Sequence, residues 1–236
     1  MSKSLSLAVL ASLFALPAVA HAQAYQCRVP QRVTVPQIRP DGPARRVPVT
    51  GYTLALSWSP EFCRTREGSR QDAMQCGGGN GRFGFIVHGL WPEGRSAAPL
   101  WCQTARRPSP ATARTSLCMM PSPYLVAHEW AKHGACMTRT PEAYYKVTTI
   151  LWRSIKLPDM DRLSRKEGLT AGDIRAEFVR LNGTYWRADM VGIEANRRGW
   201  VEELHLCYGK DFMPTRCTAR QFGLRDAAQV KVWRGL

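Results

Sequence analysis

Phe83-Gly84-Phe85-Ile86-Val87-His88-Gly89-Leu90-Trp91-Pro92 is the stretch on which the fold turns. It follows Gly77-Gly78-Gly79-Asn80-Gly81, a run that must be loop, and its short apolar core predicts a buried strand ending at His88. Upstream, Tyr52 to Trp58 alternates and is rich in large apolar residues, which predicts a second strand. Downstream, Tyr124 to His133 follows Pro121-Ser122-Pro123 and predicts a helix that Gly134 stops. Pro141 suits the first turn of another helix through about Ile155, with Ala143, Val147, Ile150, Leu151 and Ser154 on one face. A third helix, about Ala171 to Leu181, ends at Asn182-Gly183, and Trp200 to Tyr208 and Gln229 to Trp233 predict late strands. Residues 93–123, proline-rich and without periodicity, predict a tethered loop. Strands and helices without strict alternation define the expected class: α+β, with a central antiparallel sheet packed with several helices.

The 236 residues are 44% hydrophobic and 22% charged, which excludes a disordered chain, a collagen-like fibre and a coiled coil. Lys3, the uncharged run from Ser4 to Ala20 and the Ala20-His21-Ala22 cleavage signal predict a signal peptide over residues 1–22, and hence a secreted or periplasmic product. No later segment has the roughly 20 apolar residues of a membrane span. Residues 23–50, rich in Pro, Arg and Gln, suit an extended arm, and residues 51–236 a single domain. All eight cysteines, Cys27, Cys63, Cys76, Cys102, Cys118, Cys136, Cys207 and Cys217, lie beyond the cleavage signal, so a disulfide-stapled fold is expected. No C-x-x-C pair suggests a metal or redox site, and the connectivity stays open on spacing alone. With 33 Lys+Arg against 18 Asp+Glu, the formal charge is +15. Such a field attracts polyanions such as nucleic acid, heparin-like sugars or an anionic membrane surface, though a solvated basic face would have the same composition.

Beyond the leader stand four histidines, His88, His128, His133 and His205, three of them in two short segments. On a helix at about 100° per residue, His128 and Lys132 lie one turn apart, as do Glu129 and His133, so the four share a broad face. The zinc pattern H-E-x-x-H is missed, because Lys132 stands at i+4 and the second histidine at i+5. The cluster suits a phosphate ester, whose transfer needs a base, an acid and a fixed cation, and imidazole serves in either proton role. RNA supplies its own nucleophile in the 2′-OH, so no metal is required, and DNA lacks that hydroxyl.

Phe85-Ile86-Val87-His88-Gly89-Leu90-Trp91-Pro92 and His128-Glu129-Trp130-Ala131-Lys132-His133-Gly134-Ala135-Cys136 resemble the two active-site signatures of the ribonuclease T(2) family, in the family's order. Tyr52 to Cys63, Tyr144-Tyr145 and Glu203 to Cys207 resemble further family elements. The resemblance implies that His88 is the general acid for the leaving 5′-oxygen and His133 the base for the 2′-OH. His128, Glu129 and Lys132 would hold the phosphate. Trp91 would stack on the base 5′ of the cut, and Glu93 would contact it where the family often has Asp. Ala135 and Ala127 depart from the Thr and the aromatic residue usual at those positions and remove no catalytic group.

The same likeness implies the pairs Cys102–Cys136, Cys63–Cys76 and Cys207–Cys217, which leaves Cys27 with Cys118. Cys102–Cys136 would fix the separation of the two histidine segments. His205 lies outside both signatures and is read as structural, and Asn182-Gly183-Thr184 is a sequon. The expectation is therefore a monomeric endoribonuclease domain over residues 51–236. It would use no metal or cofactor, take single-stranded RNA as substrate and leave DNA uncut. The rival readings are a basic binding protein on the same fold without activity, and a zinc hydrolase.

Overall fold

The computed structural model describes residues 24–235, and the expected leader lies outside them. The strands are β1 (Ala24–Cys27), β2 (Gly51–Trp58), β3 (Gly81–Phe83), β4 (Phe85–Glu93), β5 (Val191–Ala195) and β6 (Val201–Gly209). β1 pairs with β3, and the other four form an antiparallel sheet in the order β4-β2-β6-β5. The helices are α1 (Ser59–Cys63), α2 (Ala73–Cys76), α3 (Pro110–Ser116), α4 (Pro123–Lys132), α5 (Pro141–Arg153), α6 (Met160–Leu163), α7 (Ala171–Asn182) and α8 (Ala219–Phe222). The fold is α+β, as the sequence leads one to expect.

Alternation in the strands separates two faces. Leu54, Leu56 and Trp58 of β2 and Leu204, Leu206 and Tyr208 of β6 join Tyr144, Leu151 and Trp152 of α5 and Ile174 and Phe178 of α7 in one buried cluster. Each such side chain contributes about 1.5–3 kcal/mol by leaving water. The opposite parity carries Thr53, Ala55 and Ser57, which pair across to Cys207, His205 and Glu203 and form a polar face.

β4 does not end at His88 but continues to Glu93. Ala55 pairs with Gly89 and Leu56 with Val87, so His88 is an extra residue in a β-bulge. Phe85 and Val87 enter the core before it and Leu90 after it, so the parity of the strand switches there. His88 and Trp91, three residues apart, consequently share the polar face; a regular strand would send them to opposite sides. The outer edge of β4 is satisfied without a further strand: Val87 N–H donates to Met119 O at 2.9 Å. Tyr144 Oη accepts from Leu90 N at 3.0 Å and donates to Leu90 O at 3.2 Å.

The Ser122 side chain caps α4 by accepting from Leu125 N, with Pro123 in the first turn. Gly134 follows in a short 3₁₀ turn, Gly134–Cys136. A Cβ there would meet Trp130 at 2.7 Å and Tyr144 at 2.8 Å, so the glycine permits close packing as well as a stop. α5 buries Tyr144, Tyr145, Thr148, Leu151 and Trp152, whereas Ile150 is 57% exposed and Ala143 and Ser154 face solvent. The expected face was misplaced because the aromatic side chains have more area to bury and Tyr144 also serves β4.

The expected loop 93–123 contains α3, capped by Ser109 with Pro110 in its first turn. Residues 229–233 form isolated bridges, Gln229 to Thr170 and Lys231 to Trp200, because their backbone groups pair with two different segments. α7 ends as expected at Gly183, with φ of 73°. The Asn182 amide donates to Lys156 O and Phe178 O, so the sequon asparagine braces the helix end. All four disulfides are formed as expected: Cys27–Cys118, Cys63–Cys76, Cys102–Cys136 and Cys207–Cys217. Among the described residues no helix is long and apolar enough to cross a membrane.

Candidate active site

The floor of the site is the polar face of the sheet. Gly89 and Ala55 stand opposite each other at its centre, beside His205. A Cβ on Gly89 would lie 2.0 Å from Glu129 Oε2 and 2.5 Å from Trp91 Nε1, so only glycine lets those groups rest on the strand. From α4 Glu129, 1% exposed, reaches down and accepts a hydrogen bond from Trp91 Nε1 at 2.8 Å.

Three imidazoles surround that carboxylate. The Nε2 atoms of His88, His128 and His133 stand 3.8, 3.9 and 4.0 Å from its oxygens. The Trp91 ring lies among histidines, with centroids 5.2 Å from His88, 5.5 Å from His133 and 5.5 Å from His205. Lys132 extends to the N-terminal arm, where its Nζ donates to Asp41 Oδ2 at 3.0 Å. It also lies 5.6 Å from the centroid of the Trp101 ring, whose Nε1 donates to Asp41 Oδ1. Glu93 stands at the far end of β4, where its carboxylate accepts from Thr53 Oγ1 at 2.8 Å and from Arg220 at 2.9 Å. A cavity of about 780 Å³ opens over His88 and His128, with Phe62, Tyr124 and Leu125 in its wall.

Electrostatics divide the histidines. Burial acts to lower the pKa of His88, but the hydrogen bond to Glu203 and the charges of Glu129 and Glu203 outweigh it and raise the value to about 9. Burial lowers His133 to about 3, helped by the charges of Lys132, His128 and His88. His128 is lowered by burial and by Lys132. Burial raises Glu129 to about 7 against the opposing pull of His88, the Trp91 N–H and Lys132. Near neutrality one ring holds a proton and another is free to take one, as acid and base catalysis requires.

Glu203 is the functional residue that the motifs miss. Its carboxylate accepts from His88 Nδ1 at 2.6 Å, Ser57 Oγ at 2.6 Å and His205 Nε2 at 2.9 Å. Burial opposes its ionisation, yet these donors hold its pKa well below the usual range. The signal lay in parity: Glu203 and His205 alternate with Leu204 and Leu206, which sends two titratable groups to the face opposite the core. Asp41 gave no comparable signal, since its contact spans 91 residues of sequence.

A bulged edge strand and a helix end thus bring three histidines round one buried carboxylate, a set of proton donors and acceptors of the kind that acid and base chemistry needs. Residues 50–174 match the Ribonuclease T2 family, and the chain belongs to that family. It is similar to a probable ribonuclease of Haemophilus influenzae, 31% identical over 76% of this chain and 65% of the relative. A ribonuclease of Aeromonas hydrophila is 36% identical over 48% of each chain. The chain thus spans about half to two thirds of the length of these relatives. Among solved structures, trichomaglin, described as an S-like ribonuclease, superposes with a TM-score of 0.60 at 19% identity, covering 79% of this chain and 98% of that one. RNase NT in complex with 5′-AMP gives 0.56 at 16% identity, covering 79% and 98%. At such identities the likeness concerns the fold.

Proposed function

We propose that the protein is an exported endoribonuclease that cleaves single-stranded RNA by attack of the 2′-OH, giving a 2′,3′-cyclic phosphate and then a 3′-phosphate. The observation that carries this reading is the opposite displacement of His88 and His133 on either side of Glu129. In the first step His133 takes the 2′-OH proton, the 2′-oxygen bonds to phosphorus, and the 5′-oxygen leaves with the proton of His88. In the second step water attacks the cyclic ester, His88 takes its proton, and His133 returns one to the 2′-oxygen. Lys132 and His128 stabilise the developing charge. Glu129, with its pKa raised to about 7, can carry a proton and donate to a phosphoryl oxygen instead of repelling it.

Trp91 fixes Glu129 through its N–H and offers the rest of its half-buried ring to the base 5′ of the cut. Glu93 already holds two partners, so it contacts a base only by exchange with Arg220, which favours broad base tolerance. Four disulfides support an oxidising compartment, secreted or periplasmic, behind the expected leader. The enzyme is proposed to act as a monomer, without metal or cofactor, through one catalytic domain over residues 51–236.

Matched RNA and DNA oligonucleotides, incubated with the protein with and without EDTA, test the reading. RNA cleaved to cyclic and then 3′-phosphate ends, indifferent to chelator, is the expected result. Cut DNA or activity lost with EDTA would refute the mechanism, and uncut RNA would favour the binding protein.

A further inference from the structure

Beyond Glu93 the polar face of the sheet continues into a second groove of about 700 Å³, within the range of about 300–1,000 Å³ typical of ligand sites. Arg95, Arg216 and Arg220 line it against the single carboxylate of Glu93. By contrast, in the cavity over His88 and His128 the carboxylates of Glu61, Asp72, Glu202 and Glu203 face three arginines. The groove at the end of β4 therefore carries an excess of arginine over carboxylate that the cavity over His88 and His128 lacks. Arg95 is exposed and pairs with no carboxylate among the described residues. Arg216 stands 3.9 Å from Asp189 with its side chain 80% exposed, and Arg220 is held at 2.9 Å by Glu93.

The groove is also built on fixed parts. Cys207 of β6 is bonded to Cys217, which pins the segment carrying Arg216 and Arg220 to the sheet. The Gln221 amide donates to Thr53 Oγ1 at 2.7 Å and anchors α8 to β2. Arg95 follows β4 directly, two residues beyond Glu93.

We propose that this groove binds phosphates of the RNA chain upstream of the nucleotide whose 2′-OH attacks. The inference rests on the ribonuclease reading, in which Trp91 and Glu93 meet the base 5′ of the cut, so the strand leaving that base toward its 5′ end passes over the groove. Guanidinium groups suit this task, because their planar donor forks match phosphate oxygens and their charge does not titrate. The groove gives the enzyme a preference for long chains without reading sequence, since phosphate contacts position a strand and carry no base information.

The test compares kcat/KM on a dinucleoside phosphate, on the same cleavage step extended by three nucleotides on the 5′ side, and on one extended on the 3′ side. The wild-type protein should favour the 5′ extension over the dinucleoside by about ten-fold at low salt. The Arg95→Ala, Arg216→Ala double variant should lose that preference, keep its rate on the dinucleoside and keep its Tm, both residues being exposed. Its slope of log KM against log salt should fall by about 0.7 for each contact removed. The corresponding double Lys variant should restore much of the preference. Equal rates on short and 5′-extended substrates, a benefit confined to the 3′ extension, or equal loss on every substrate in the Ala variant would overturn the proposal. If the wild-type protein cleaves none of the three, it is the ribonuclease reading that fails.

Discussion

Lys132 Nζ donates a hydrogen bond to Asp41 Oδ2 at 3.0 Å, across 91 residues of sequence. The proposed phosphate-binding cation is thus neutralised in part by a carboxylate from the N-terminal arm. The pair is exposed enough, with Asp41 at 56%, that its effect on stability is about 0–1 kcal/mol. Its effect on an incoming phosphate is larger, because Asp41 both competes for Lys132 and repels the anion. Asp41→Asn is expected to lower KM for RNA a few-fold at low salt, with kcat within about two-fold and Tm unchanged. A raised KM, or a fallen kcat, would instead make Asp41 the residue that aims Lys132.

Glu203 holds His88 in its protonated form, and this relation predicts a pH profile. The acid His88 must carry its proton, so kcat/KM is expected to show a limb that falls as pH rises through about 9, above any loss that follows the Glu129 proton near 7. Glu203→Gln removes the charge that raises His88, and the alkaline limb should move down by about one unit or more toward 6.5. An unmoved limb would assign it to a group other than His88.

His133 gives a prediction for stability. Its folded pKa, about 3, lies below its ordinary 6.5, so its contribution is present above 6.5 and is lost as pH falls toward 3. His133→Phe cannot lose what it lacks. Between pH 7 and pH 4 its Tm should fall by about 7–13 °C less than that of the wild type. Parallel curves in thermal denaturation would show that His133 protonates freely in the folded state.

Gly89 predicts a steric effect. In Gly89→Ala the new methyl would stand 2.0 Å from Glu129 Oε2, so Glu129 and Trp91 must both move. A cost of about 1–3 kcal/mol in stability and about 100-fold in kcat is expected. Denaturant unfolding and turnover measured on the same preparation check this, and unaltered turnover would mean that the Glu129 position is unimportant.

The elements that carry the motifs were legible because their signals are local. Ser122-Pro123 opens α4, Gly183 closes α7, and the alternation of Leu54 and Leu56 marks β2. The missed features depend on distant partners. α5 turned its aromatic side to the core because Tyr144 has the edge of β4 to satisfy, a partner 54 residues away. Residues 229–233 look like a strand yet lack a continuous neighbour. At the site, the two signatures point to His88, Glu129 and His133, but Glu203 and Asp41 enter only once the sheet and the arm are in place.

The bulge at His88 constrains how this segment can change. Replacing the imidazole would silence a ring and leave its neighbours in place. Deleting the residue would restore unbroken pleating, with Val87 still opposite Leu56 and Gly89 opposite Ala55, so Leu90 would stay in the core and the Trp91 indole on the polar face. The imidazole is thus carried on a residue that the pleat itself does not need: the ladder on both sides of it is complete, and the bulge serves to present His88 beside Gly89 and Trp91.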